Sequence, residues 1–303
     1  MLESGKAMRT SAVASAIVLV TGVLWGAYWV PVRALADHGL DGAWGTGAIT
    51  LAAALVLLPF VWVQRHTLRG ADAIGVASVA LGGAAFALYS IGFLYGKVAV
   101  VVLLWFFSPV WSVLIAKYLL GWYVPGVRLV AISVGIMGLF VMLGGDGGLP
   151  LPASLGEWMA FVGGLVWAFA TAGMRLRSNL PPASSALLFA IGAAAVSFGF
   201  AAFLGPVPTV AVADIAGLAA GVVFTGGLWW GVSIAALMWA TVRLDPARVG
   251  ILLMTEVIVG AATAALFARE HLSFSEMFGG ALVILCGLLE VWPTKTDQSR
   301  PVG

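Results

Sequence analysis

One carboxylate in this sequence stands where its surroundings are apolar on both sides. Glu256 lies in the run Leu252-Leu253-Met254-Thr255-Glu256-Val257-Ile258-Val259, which holds no other charge. It is the eleventh residue of the 22-residue window Pro246–Phe267. A window of that length crosses a bilayer as a helix, so Glu256 falls near the bilayer centre. A charged side chain there costs about 2.5–3.5 kcal/mol on insertion scales. Without a partner, low dielectric favours the protonated acid. Two chemistries suit such a group: it holds a proton that couples to transport, or it pairs with a cationic solute. A third role is structural, a protonated glutamic acid hydrogen-bonded across a helix bundle. Ionisable groups inside membranes are functional by default, which favours the first two.

Aromatic residues supply the second chemistry. The chain has 13 tryptophans, and many fall inside apolar windows rather than at their ends. Trp25, Tyr28 and Trp29 follow i, i+3, i+4 spacing and share one helix face. Phe86, Tyr89 and Phe93 do the same in another window. Trp105 and Trp111, Trp167, and Trp229 and Trp230 occupy three more. If these faces converge they wall a cavity suited to quaternary ammonium groups through cation–π attraction, or to flat aromatic solutes through stacking. The alternative is packing or lipid-facing aromatics. Trp44, Trp62, Trp122, Trp158 and Trp292 lie near window ends, as interfacial belts do.

Charges outside the centre are read more plainly. Arg33 and Arg175 sit about two turns beyond Trp25 and Trp167 and are candidate gate residues, with snorkelling as the ordinary alternative. Lys97 falls in a tight loop and is expected to be solvated. Asp72, Glu157 and Asp214 precede or open helices, where carboxylates complement the dipole.

The elements that position these groups follow from composition. Of 303 residues, 62% are hydrophobic and only 9% charged, against about 25% charged in soluble domains. Apolar windows bounded by Gly, Pro and charge predict ten transmembrane helices: Val13–Ala36, Trp44–Val63, Ala73–Tyr95, Val98–Leu120, Pro125–Leu143, Leu155–Leu176, Ser184–Leu204, Ile215–Trp239, Pro246–Phe267 and Phe274–Trp292. Asp245-Pro246 and Ser273 with Glu276 carry helix-entry chemistry, and Pro125 opens the fifth span. The first window ends Ala34-Leu35-Ala36, like a cleavage site, but is too long for a signal peptide and is read as a retained span. With the N-terminus inside, twelve of the 15 Lys and Arg residues lie inside and three (Arg33, Lys97, Arg269) outside. The positive-inside rule therefore places both termini in the cytoplasm.

The chain also repeats itself. Gly22-Val23-Leu24-Trp25 matches Gly164-Leu165-Val166-Trp167, and eight residues on Arg33 falls opposite Arg175. Gly138 stands where Gly287 does in the last predicted spans of the two halves. Five spans per half means that the second half enters the membrane from the opposite side, the inverted-repeat plan of many secondary transporters. The halves are predicted as residues 12–145 and 154–292, with a short cytoplasmic tail at 293–303.

With Leu24-Trp25-Gly26, the apolar–Pro run from Leu104 to Ile115, Glu270-His271-Leu272-Ser273, Gly279-Gly280 and Cys286-Gly287, this plan resembles the drug/metabolite transporter superfamily, EamA type, over residues 12 to 292. The resemblance implies a ten-helix bundle around a cavity lined by the first, third, fourth, sixth, eighth and ninth helices. It also implies movement of amino acids, nucleotide-related metabolites or drugs. The chain departs from the family where a proline is usual in the middle of the ninth helix, for Glu256 stands there.

Other classes are poorly supported. His38, His66 and His271 fall in predicted loops and Cys286 stands alone, so no metal site, cofactor or His-based catalysis is expected. No nucleotide-binding Gly–Lys–Ser/Thr loop is present, and no basic stripe points to nucleic acid. A membrane enzyme would need clustered His, Asp or Ser at one face, and a channel a ring of repeated polar residues. The expected function is secondary transport of a small cationic or zwitterionic metabolite across the inner membrane, proton-coupled through Glu256. The alternative is export of aromatic or other neutral amino acids. Partners are then the small-molecule solute and membrane lipids, in a monomer or homodimer.

Overall fold

A computed structural model describes residues 2–63, 65, 70–144, 150–241, 243–244 and 246–290. Among them all regular structure is helical, as lipid demands of a chain that must satisfy its backbone internally. The elements are α1 (Leu2–Gly26), α2 (Trp29–Asp37), α3 (Ala43–Val63), α4 (Ala73–Tyr95), α5 (Val98–Trp105), α6 (Ser108–Leu114), α7 (Gly126–Gly144), α8 (Leu155–Arg177), α9 (Pro182–Leu204), α10 (Ile215–Val223), α11 (Ser233–Thr241), α12 (Pro246–Leu253), α13 (Thr255–Phe267) and α14 (Phe274–Glu290). Two π-helical stretches, Ile115–Leu119 and Phe224–Val232, extend α6 and join α10 to α11.

Nine helical stretches among the described residues are long and apolar enough to cross a membrane, from Thr10–Asp37 to Arg248–Phe267; a further apolar helix, Phe274–Leu289, is shorter. The predicted windows agree with these to within three residues. The last predicted span reached Trp292, which lies outside the described residues, as do the tail at 293–303, the cap at Asp245 and His66. Leu55, Phe60, Phe203, Leu266 and Phe267 stand on the surface, where only lipid would accept so much apolar area.

The tightest packing joins α4 to α8 and α9, α3 to α9, and α7 to α14, while α1 lies along α13 and α11. Gly83 and Gly192 make the α4–α9 crossing possible: a methyl group on either would collide with the backbone carbonyl of Phe189 or Ala80. Gly26 does the same for α1 and α13, since a Cβ there would sit 2.6 Å from Glu256 O.

Helix ends follow the expected chemistry. Asp72 Oδ1 accepts from Ile74 N (2.9 Å) and Gly75 N (3.1 Å). Ser154 caps α8, and Glu157 Oε2 returns the bond to Ala153 N (2.7 Å). Ser273 and Glu276 form the predicted reciprocal box. Asp214 precedes α10 without a side-chain cap bond.

Three membrane-crossing helices break near their middles. Tyr28 N donates to Trp25 O (3.1 Å), Phe107 N to Leu104 O (3.2 Å) and Val257 N to Met254 O (3.1 Å), each a tightened three-residue turn. Two breaks have a proline cause. Pro31 cannot donate to Ala27 O, nor Pro109 to Trp105 O. The third has none: Thr255 Oγ1 donates instead to Leu252 O (2.7 Å), diverting the backbone just before Glu256. Pro59 stays inside α3 without a break.

Candidate functional site

Side chains beside the three breaks meet residues of α4: Tyr28 meets Phe86, and Trp105 and Glu256 meet Tyr89. Tyr28 follows the first, Trp105 precedes the second and Glu256 follows the third. Discontinuous helices at mid-membrane are how many transporters expose polar groups to a solute.

Glu256 is partly buried, and its Oε1 accepts a hydrogen bond from Tyr89 Oη at 3.2 Å. No neighbour of Glu256 along α13 supplies a charge. Tyr89 stacks on Trp105 (centroids 4.7 Å, 22°) and meets Phe93 edge-on (4.7 Å). Trp105 continues to Trp167 at 5.7 Å. Trp167 contacts Phe189, and Phe189 contacts Trp230 and Phe86. Phe86 closes on Trp25 and Tyr28. Trp25, Tyr28, Phe86, Tyr89, Phe93, Trp105, Trp167, Phe189 and Trp230 thus form one connected aromatic body drawn from six helical stretches. Trp25 Nε1 donates to Ser233 Oγ (3.1 Å) and Trp29 Nε1 to Thr263 Oγ1 (3.0 Å). Trp230 Nε1 and Tyr28 Oη are fully buried and lack a partner of good geometry, an uncommon state for buried polar groups.

Two candidates fall elsewhere. Trp111 packs with Phe107 and Phe161 in a separate cluster. Trp229 donates to Leu24 O (3.0 Å) and lines an apolar groove with Val13, Val20, Leu24, Leu228 and Val232. Val20, Leu228 and Val232 are more than half exposed, so the groove opens on the outside of the bundle. Adjacent tryptophans on a helix cannot share a face, and Trp230 takes the inner one.

The two arginines differ sharply. Arg33 Nε donates to Phe93 O (2.9 Å) and Nη2 to Gly96 O (3.2 Å) and Glu270 Oε1 (3.2 Å), while its guanidinium lies 5.2 Å from the Trp29 ring centroid. Glu270 also accepts from Val98 N (2.9 Å) and Ala99 N (3.3 Å), capping α5 from the far end of the chain. One end of the bundle is thereby tied across α2, α4, α5 and the turn after α13. Lys97, expected to be solvated, pairs with Glu276 at 2.8 Å at the same end; hydrogen bonding to that carboxylate raises its pKa above the usual lysine value. Arg175 instead lines an open pocket of about 360 Å³ at the opposite end, with Ser112, Thr171, Trp122, Tyr123 and Arg128.

Sequence reasoning missed Phe189, on a helix without a periodic aromatic set, and the pairing of Glu270 with Arg33. The second was open to charge complementarity between two residues read as lying at the same membrane face. No cluster of three or more His, Cys, Asp or Glu placed to hold a metal occurs among the described residues.

Comparison with known proteins gives a family match to part of the chain. Residues 13–144 match the EamA-like transporter family. The match covers the first of the chain's two predicted halves. Fifteen solved chains also match. One of them, the crystal structure of a protein, has a TM-score of 0.59 at 17% identity and covers 91% of this chain and 95% of its own; this supports the fold alone. No curated protein matches. That match, with nine helices among the described residues long and apolar enough to cross a membrane, supports a multi-pass membrane protein that moves small molecules. Its aromatic body and Glu256 lie inside the helix bundle.

Proposed function

We propose that this EamA-like protein is a secondary transporter of a small cationic or zwitterionic metabolite, with Glu256 as both the cation site and the coupling group. The carrying observation is the Tyr89–Glu256 hydrogen bond within the aromatic body. An ammonium group docked on Glu256 would lie beside Tyr89, whose ring stacks on Trp105, and an aromatic face stabilises a desolvated cation by about 2 kcal/mol. One carboxyl group binds a proton or an ammonium, not both. Proton entry from one side therefore expels the cation, and the cycle couples the two fluxes without a second site.

The architecture read into this function is ten spans in two inverted halves, in the inner membrane with both termini cytoplasmic. Helix pairing supports the halves. Exchanging each predicted span with the one five places on turns the α8–α4 contact into α1–α11 and the α8–α5 contact into α1–α13, and all four are present. Alternating access then closes the Arg33–Glu270 end while the Arg175 end is open. Export of aromatic or neutral amino acids is the second reading, favoured by the flat stack of Tyr89 and Trp105.

Glu256→Gln tests the coupling. In proteoliposomes the variant should remain folded but lose pH-driven uptake. Undiminished pH-driven transport in that variant removes Glu256 from the mechanism.

A further inference from the structure

We infer that the pocket at the Arg175 end holds the phosphate of an anionic phospholipid, a site independent of Glu256 and of the transported solute. The pocket, of about 360 Å³, lies between α6 with its π-helical extension, the start of α7 and the C-terminal half of α8. Arg128 and Arg175 line it, and no Asp or Glu does. Ser112 and Thr171 add hydroxyls to the wall. A guanidinium binds a phosphate through two parallel hydrogen bonds. Basic pockets between membrane helices hold acidic headgroups in this way.

The charge of this pocket is not met by an acid of the protein. Arg33 has three acceptors, Lys97 has Glu276, and Arg177 lies 3.6 Å from Asp72. Arg175 has no such partner among the described residues. The turn after α13 supplies Glu270 to Arg33. The turn from α6 to α7, Leu120-Gly121-Trp122-Tyr123-Val124-Pro125, contains no carboxylate. Arg128 stands in the first turn of α7, which also has no acidic residue. A helix dipole is positive at that end, so a cation there is disfavoured and an anion is stabilised. Two guanidinium groups and a helix N-terminus thus border one space, and all three favour an anion in it.

The rim distinguishes a lipid from a free phosphate. Ala116, Leu120, Trp122 and Tyr123 belong to the wall, and among and beside them Tyr118, Leu119 and Tyr123 are more than half exposed. Tryptophan and tyrosine settle at the headgroup level of a bilayer, so the mouth of the pocket stands where a lipid phosphate would. Lys117, on the same stretch, lies 5.3 Å from the Tyr118 ring centroid and adds a positive charge beside the rim. Leu129 and Val130, next to Arg128 on α7, are exposed as well, and acyl chains can lie against them. A free phosphate would use the arginines and leave this apolar surface without a role.

The test is native mass spectrometry of the full chain, released from mild detergent with equimolar phosphatidylglycerol and phosphatidylcholine of the same acyl chains. One arginine near an acidic headgroup favours it about fivefold, and two about thirtyfold. A single phosphatidylglycerol should therefore be retained in about thirtyfold preference to phosphatidylcholine. Arg175→Gln should lower that preference to about fivefold. Arg175→Lys should keep most of it, and Arg177→Gln should leave it intact. Equal retention of the two lipids would mean that Arg175 only snorkels to water, and overturns the inference. A preference that Arg175→Gln does not reduce overturns it too. Glycerol 3-phosphate and inorganic phosphate are then titrated against the bound lipid. Neither should displace it at equal concentration; displacement by either assigns the site to a soluble phosphate and removes the lipid.

Discussion

Replacing Glu270 with alanine removes three interactions at once, and their separate sizes can be worked out. Glu270 Oε1 accepts from Val98 N at 2.9 Å and from Arg33 Nη2 at 3.2 Å, and Oε2 accepts from Ala99 N at 3.3 Å. The first N–H groups of α5 have no acceptor within their own helix, and Lys97, at its N-cap, supplies none. Losing a capping carboxylate costs about 1 kcal/mol. The pair with Arg33 adds about 1 kcal/mol, because the Arg33 side chain is 29% exposed and water screens it. Glu270→Ala is thus expected to cost about 2 kcal/mol. Glu270→Gln keeps an oxygen for Val98 N–H and loses only the charge, for about 1 kcal/mol. Arg33→Gln should cost a similar amount alone and little on top of Glu270→Gln, since the pair is already broken. Denaturant unfolding of the parent, both single variants and the double variant in mild detergent, followed by tryptophan fluorescence, measures the coupling. Single variants within about 0.5 kcal/mol of the parent, with no coupling between them, would refute Glu270 as the tie that closes this end.

Two further outcomes follow from packing. Gly83→Ala places a methyl group against the Phe189 carbonyl and should destabilise by about 1–3 kcal/mol or prevent assembly. Gly217→Ala, in open space on α10, should stabilise by up to about 1 kcal/mol; equal thermal midpoints for the two variants would contradict the α4–α9 crossing. Trp105→Ala should weaken solute binding by about 1–2 kcal/mol, and Trp229→Ala should leave it unchanged because that ring lines the outer groove. A binding titration in which the two variants lose equally would place Trp229 inside.

Most of the helical plan was legible because a bilayer admits few alternatives. Span ends such as Ala73, Tyr95, Val98 and Leu204 are marked by a charge, proline or glycine that lipid would not accept in their place. The aromatic body was legible in part, because i, i+3, i+4 spacing identifies a shared face but not its direction. Trp25 and Trp229 each follow a leucine in an apolar run; only the packing of the helices shows Trp25 buried and Trp229 on the groove. Phe189 was hidden because a lone aromatic in Leu187-Leu188-Phe189-Ala190 has no period to reveal it.

The helix breaks carry the deeper lesson about Glu256. Two of them are written in the sequence as Pro31 and Pro109, and the third is not. In the family the sequence resembles, a proline is usual where Glu256 stands; the backbone still tightens at Met254, through the Thr255 hydroxyl. A threonine does this more weakly than a proline, because it diverts a carbonyl without removing an N–H. The position next to it is then free to carry a carboxylate instead of a ring. Tyr89, on a helix without a break, supplies the hydroxyl that meets it. The substitution that looks like a departure from the family thus keeps the bend and adds a charge. That combination is what a transporter needs if one residue is to bind the solute and also take up the proton that releases it.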